Sequence, residues 1–280
     1  MISYIYKTPI NMIEYGSDHT PYANIPKLSR FKMSILEAPG GTVTFIRHLM
    51  NRERISIDQA QNILFGAVET LNGNMADNLK TSPKIDSYLG QGYEATVFKF
   101  TTKDGRWVMK VGHPNSPVPG IYSPATNEYA AMMKWNYAVL NRRLIPYLPN
   151  VLPSPYYVVA PSEINMPTTV QLLPYIDKIT DFRYLTESQT IQLIKERKTF
   201  FDLSKQLITQ DKVMPDMVGS KNLVVSETAS NLHYSLLDIG LFNLRAPTPI
   251  LNIWVYMFQR LSLMKDINSL KNAQGKKFPS

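Results

Sequence analysis

Two sets of residues in this 280-residue chain have types and spacings that could do chemistry. The first lies in Leu89–Val111, LGQGYEATVFKFTTKDGRWVMKV. Gly90 and Gly92 are two apart, Val97 follows five later, Asp104-Gly105 reads as a hairpin turn, and Lys110 sits on the run Trp107–Val111. Glycines let the backbone pass close to phosphates, and a lysine on the next strand can neutralise them, so the stretch suits a nucleotide triphosphate. The second set lies in residues 210–244. Asp216 precedes a short β-run that Asn222 opens, and Asp238-Ile239-Gly240 ends a second run, Tyr234–Leu237. Phosphoryl transfer asks for such donors: a carboxylate to orient the attacking hydroxyl, and an amide oxygen with a second carboxylate to hold Mg²⁺ against the phosphates.

In order, the chain carries G-x-G-x-x-A-x-V, a hairpin, V-M-K, and then Asp, Asn, strand, turn, strand, Asp-x-Gly. Over residues 86–245 this resembles the protein-kinase-like superfamily, with its G-x-G-x-x-G-x-V, V-A-I-K, H-R-D-x-x-x-x-N and D-F-G patterns. The resemblance implies an α+β, bilobal protein-kinase-like fold. A small β-rich N-lobe would span 81–175 and a reduced helical C-lobe 176–280, after an N-terminal extension, 1–80, with a helix at about 56–78. It implies that Gly90, Gly92 and Val97 line the nucleotide and that Lys110, paired with Glu128 of the following helix, holds the α- and β-phosphates. Adenine would bond backbone around Leu173–Ile176, which brings in Leu173 and Tyr175. Asp216 would orient the acceptor, and Asn222 and Asp238 would hold the metal.

Several positions depart from the family pattern. Ala95 replaces the third glycine, Met214-Pro215 replaces His-Arg, and no A-P-E triplet follows. Asp216 and Asn222 are six apart rather than five, with Gly219 placed to absorb the extra residue, and Asp211 is a rival base if the loop is shifted. The outline is that of a compact, atypical member. The expected function is an ATP- and Mg²⁺-dependent phosphotransferase acting on a protein or small-molecule hydroxyl. The alternative is a pseudokinase-like nucleotide-binding regulatory or scaffold module, favoured by the irregular catalytic loop and the long N-terminal extension, which reads as a surface for a protein partner.

Composition sets the frame for both. With 44% hydrophobic and 19% charged residues the chain suits a folded soluble protein. No apolar run approaches membrane-spanning length and the N-terminus lacks the features of a secretory signal, so the expectation is a cytoplasmic protein with no membrane partner. Zero cysteines exclude thiolate metal sites, and four scattered histidines argue against zinc. The net charge of +8 is spread along the chain, which fits an anionic ligand such as ATP better than nucleic acid.

The elements that must position these residues are legible in part. Ser56 with Gln59 forms a capping box ahead of an apolar stripe, Ile63, Leu64, Val68 and Leu71. Ser123-Pro124 opens a helix to about Arg143 that contains Glu128. Tyr156–Ala160 and Thr168–Leu173 read as strands. Thr186, with Gln189, caps a helix to about Thr209, with Ile191, Ile194, Phe201, Leu207 and Ile208 as apolar faces and Lys195–Lys198 on the solvated side. A last helix, 249–267, is expected to bury Trp254, Val255, Phe258, Leu261 and Leu263 ahead of a frayed polar tail from Lys271.

Overall fold

The computed structural model describes residues 8–10, 31–33, 55–72, 79, 82–91, 95–112, 127–153, 155–159, 169–216, 222–228, 231–243 and 249–275. The fold is α+β. The chain forms two compact units, Met1–Trp135 with Ser154–Tyr175, and Asn136–Pro153 with Ile176–Ser280.

The first unit is built on five strands. These are β3 (Lys84–Gln91), β4 (Ala95–Thr102), β5 (Gly105–Gly112), β6 (Tyr157–Val159) and β7 (Val170–Pro174). They form one sheet in the order β3-β4-β5-β7-β6, antiparallel throughout. Strand residues alternate between faces, and one face is apolar here. Phe98 and Phe100 of β4, Met109 of β5 and Leu172 of β7 are fully buried against helix α1 (Ile57–Asn72), which contributes Leu64, Ala67, Val68 and Leu71. Each large side chain taken fully out of water contributes about 2 kcal/mol. The Ser56–Gln59 capping box forms with both hydrogen bonds, at 3.0 and 3.1 Å. Gln61 then pins α1 to the edge of the sheet, donating to the Pro83 carbonyl at 2.9 Å and accepting from the Ile85 N–H at 2.8 Å.

The hairpin between β4 and β5 sits one residue earlier than its sequence suggests. Thr102 pairs with Gly105, so the loop is Lys103-Asp104, and Gly105 opens β5 at φ +150°, a conformation that side chains strongly disfavour. A separate two-strand pair joins β1 (Thr8–Ile10) to β2 (Phe31–Met33). The Ser123-Pro124 cap and the break expected at Gly73-Asn74 fall outside the described residues. Helix α2, Asn127–Leu144, supplies its first half to this unit and its second half to the other.

In the second unit, α3 (Glu187–Gln206) starts on a complete capping box: the Thr186 side chain accepts from the Gln189 N–H, and the Gln189 side chain accepts from the Thr186 N–H. A wider, π-helical turn, Leu207–Asp211, ends it at Lys212, whose φ of 57° is left-handed. β10 (Leu223–Thr228) and β11 (Asn231–Leu236) form a hairpin with β8 (Lys178–Ile179) beside β10. β9 (Val213–Pro215) pairs with β12 (Leu241–Asn243). Helix α4 runs Pro249–Gly275, past the expected end and into the first five residues, 271–275, of the segment read as a frayed tail. Among the described residues no helix is long and apolar enough to cross a membrane.

Three expectations for the helices are overturned. Arg197, read as part of a solvated charge run, is 2% exposed, while Ile191, read as apolar core, is 59% exposed. Arg197 Nε donates to Asp266 of α4 at 2.7 Å and its Nη2 to Ser262 at 3.1 Å. Leu261, expected in the core, is exposed, and the side chains of Trp254, Val255 and Phe258 lie outside the description.

Burial, reinforced by the Asp266 and Glu196 carboxylates and opposed by Arg197, pushes the Tyr234 hydroxyl well above its ordinary ionisation range. Unfolded tyrosine ionises near pH 10 and the folded residue does not. Above that pH the unfolded state binds fewer protons, so stability falls as pH rises, by up to about 1.4 kcal/mol per pH unit. Tyr234→Phe is expected to flatten this alkaline slope, with no pH-dependent change below it. Urea midpoints across the alkaline range check it; an unchanged slope would remove Tyr234 as its source.

Candidate functional site

Strand register places the first set of residues in one row. Gly90 pairs with Val97, Val97 with Lys110, and Lys110 with Gln171. Phe98, Phe100, Trp107 and Met109 occupy the α1 side, so alternation puts Val97, Lys99, Val108 and Lys110 on the other face. Leu173, paired with Val108, joins them next to buried Leu172. That face therefore has an apolar centre, Val97, Val108 and Leu173, with Lys110 beside it. Gly92 lies outside the described residues, as does the side chain of Glu128; its backbone is in the first turn of α2.

The backbone N–H of Tyr175 is already engaged. Its N–H donates to the Arg106 carbonyl at 2.9 Å, so this amide is committed to the protein and does not serve a base. Its ring lies 5.1 Å from both Lys99 Nζ and the Arg106 guanidinium carbon. Gln171, next to Lys110 in the row, is buried and accepts a hydrogen bond from the Tyr156 hydroxyl. Sequence reading missed Gln171 because a polar residue in an apolar strand has no short-range signature; only register sets it beside Lys110.

In the second unit, folding brings Asp216 and Asp238 to Gly240 and ties Asn222 to the Asp216 backbone. Pairing of β9 with β12 brings Pro215 opposite Leu241, and the Asp216 N–H donates to the Gly240 carbonyl at 2.9 Å. Asn222 Nδ2 donates to the Asp216 carbonyl at 2.9 Å, which turns the amide oxygen away from that carbonyl. Asp238 Oδ1 accepts the Gly240 N–H at 2.9 Å. Asp238 Oδ1 and Asp216 Oδ2 lie 3.3 and 3.8 Å from the point where a Gly240 Cβ would sit. A Cβ there would press on Asp238 Oδ1 and would meet Asp216 only at ordinary contact distance. Gln259 of α4, fully buried, reaches the Pro215 carbonyl at 3.5 Å, a long-range support with no local sequence signal. Gly219 and the rest of the segment between Asp216 and Asn222 lie outside the described residues.

This set can hold a hard cation. Asp238 offers a carboxylate and Asn222 an oriented amide oxygen, both oxygen donors suited to magnesium. Among the described residues no group of three or more His, Asp or Glu forms a metal cluster. Magnesium needs none, since one or two carboxylates complete its shell with ligand phosphates and water.

Asp211, the rival base, is engaged elsewhere. It accepts from Arg143 Nε at 2.7 Å, from Arg143 Nη2 at 3.1 Å and from Arg142 Nη2 at 3.0 Å. Both of its carboxylate oxygens are thus engaged by guanidiniums. Asp211→Asn is expected to lower the melting temperature slightly and, if the protein transfers phosphoryl groups, to leave that transfer unchanged; a large loss of turnover with intact folding would restore Asp211 as the base.

No protein-family model matches the chain, and a search of curated proteins returns no significant match to it.

Proposed function

We propose that this protein is an ATP- and Mg²⁺-dependent phosphotransferase of bilobal, protein-kinase-like construction. The observation that carries the reading is the approach of Asp216 and Asp238, 22 positions apart in sequence, to Gly240, with Asn222 tied to the Asp216 carbonyl beside them. The row Gly90–Val97–Lys110 supports it, because it sets a strand glycine and a lysine in one row beside an apolar patch that suits a base. The strand order β3-β4-β5-β7-β6, with α2 between β5 and β6, supports the N-lobe reading.

On this reading Lys110 binds the α- and β-phosphates. Asn222 and Asp238 would hold Mg²⁺, which when bound neutralises charge on the phosphate chain. Asp216 accepts a hydrogen bond from the acceptor hydroxyl and aims it. As the acceptor oxygen bonds to the γ-phosphorus, the bond to the β-phosphate oxygen breaks and the hydroxyl proton passes to Asp216. Positioning and charge neutralisation supply most of the acceleration. The acceptor is a hydroxyl of a protein or a small molecule, and the setting is cytoplasmic.

The test is turnover of ATP by the purified protein with Mg²⁺ and with EDTA, beside the melting temperature with and without nucleotide. Metal-dependent turnover is expected. A nucleotide-dependent rise in melting temperature without turnover would replace the enzyme by a nucleotide-binding regulatory module. Neither effect would end the kinase-like reading.

A further inference from the structure

Helix α4 carries a row of apolar side chains on the side turned away from its packing. Met257, Leu261 and Met264 are 47%, 58% and 52% exposed. A lone exposed leucine means little, but these three are spaced four and then three residues apart, so they lie in one line along the helix and make a patch. The opposite side of α4 is already in use. Ser262 and Asp266 hold Arg197 of α3, Gln259 reaches the Pro215 carbonyl, and Leu270 is buried. The row is a second, outward face.

The charges around the row have one sign. Arg260 and Lys265 flank it on either side and Lys271 closes its C-terminal end, all three exposed. Among the described residues none of the three is paired with a carboxylate. From Met257 to Lys271 the one acidic residue is Asp266, which faces away and is held by Arg197 at 2.7 Å. In heptad terms Met257 and Met264 take d positions and Leu261 and Asn268 take a positions, with Arg260 at g and Lys265 at e.

We propose that this face of α4 docks an acidic amphipathic helix of a protein partner, in coiled-coil register. Met257, Leu261 and Met264 pack into the partner's apolar seam, and Arg260 and Lys265 meet Glu or Asp at its e and g positions. Asn268 fits this use, because a single Asn at an a position fixes register in two-stranded coiled coils. The same charges disfavour a second copy of this chain. In a parallel pair Arg260 would face Lys265 of the other helix, and in an antiparallel pair each would face its own kind. A lipid surface fits less well, since hydrocarbon would leave the Asn268 amide without a hydrogen-bond partner. From Met257 to Lys271 the row is about 21 Å long, two heptads. A free helix of that length is marginal, but α4 is already folded against α3, so only the partner has to become ordered. The inference uses none of Lys110, Asp216, Asn222 or Asp238 and does not rest on the phosphotransferase reading.

The test is a titration of the full chain, without nucleotide, into a labelled synthetic peptide read by fluorescence anisotropy. The peptide has four heptads, with Leu at d, Ile at a except for one Asn, and Glu at every e and g, where like charges keep it from pairing with itself. A matched peptide with Lys at e and g runs in parallel. Saturable binding is expected for the Glu peptide, and binding weaker by about tenfold or more for the Lys peptide. Leu261→Ser should weaken the Glu peptide by about tenfold. Its melting temperature should stay close to that of the wild type, because the side chain is more than half exposed in the free protein. Arg260→Glu with Lys265→Glu should reverse the preference in favour of the Lys peptide. Misfolding cannot produce a reversal, so this variant keeps the test decisive.

No saturable binding, equal binding of the two peptides, or an unchanged preference in the charge-reversed variant would overturn the proposal. Binding to phosphatidylserine vesicles that Leu261→Ser abolishes, without binding to the Glu peptide, would assign the face to a membrane instead. A dimer of the free protein that Leu261→Ser dissociates would assign it to a second copy. Failure of ATP to bind or turn over would leave the peptide result untouched.

Discussion

Asp238→Ala is expected to lower the proposed phosphoryl transfer by about a hundredfold or more, the scale on which removal of one charge-stabilising group acts in a preorganised site. The side chain has two tasks. One oxygen accepts the Gly240 N–H at 2.9 Å and so shapes the turn that also receives Asp216 through the Gly240 carbonyl. The carboxylate charge is the stronger of the two proposed metal donors. Alanine removes both. Asp238→Asn separates them: its amide oxygen can still accept the Gly240 N–H, while the negative charge is gone. If charge is what matters, the asparagine variant loses nearly as much activity as alanine, retains the wild-type melting temperature and needs more Mg²⁺ for half-maximal rate. Asp216→Asn should instead lower kcat with little change in the Mg²⁺ requirement. Wild-type turnover in Asp238→Asn would show that the site works through the turn alone, and the phosphotransferase reading would lose its metal ligand.

Arg197→Ala is expected to destabilise the second unit by about 3 kcal/mol, at the lower end for breaking a buried ion pair. The guanidinium is 2% exposed, and its partners on α4 are Asp266 at 2.7 Å and Ser262 at 3.1 Å. Truncation leaves a cavity and removes a fixed charge partner. The cost stays below the upper range because the Asp266 side chain is 33% exposed and water can reach it. Replacing both partners by apolar residues, Arg197→Met with Asp266→Leu, should recover much of the loss, since no lone charge remains. Urea denaturation of the single and double variants measures this. A single variant as stable as the wild type would mean that α3 and α4 are held by apolar packing alone.

The helices show where local reading succeeds and where it stops. Both capping boxes, at Ser56–Gln59 and Thr186–Gln189, were legible because every atom involved lies within one turn. Arg197 was misread from its neighbours: Lys195-Glu196-Arg197-Lys198 looks like a solvated run, yet position 197 follows Leu193 by four and precedes Phe200 by three, on the buried stripe. A charge at such a position is tolerated only when a distant residue satisfies it. Asp266 is 69 positions away, beyond any local pattern. The hairpin at residues 102–105 slipped by one residue for a related reason: Asp-Gly signals a turn, but cross-strand register decides which two residues close it.

The candidate site divides in the same way. Sequence alone determined which residues could act and in what order, because glycine, lysine, aspartate and asparagine carry their chemistry with them. It also determined the α+β character and most strand positions, since these follow from local apolar patterning. Only the tertiary structure decided that Asp216 and Asp238 approach one glycine, that the Asn222 amide is turned by the Asp216 carbonyl, and that Gly90, Val97, Lys110 and Gln171 share a row. It alone committed the Tyr175 amide to Arg106 and drew two cations onto its ring. Those facts depend on which strands pair and in what register. Pairing is fixed by burial and hydrogen bonding summed across distant segments, and no single stretch of sequence contains that sum.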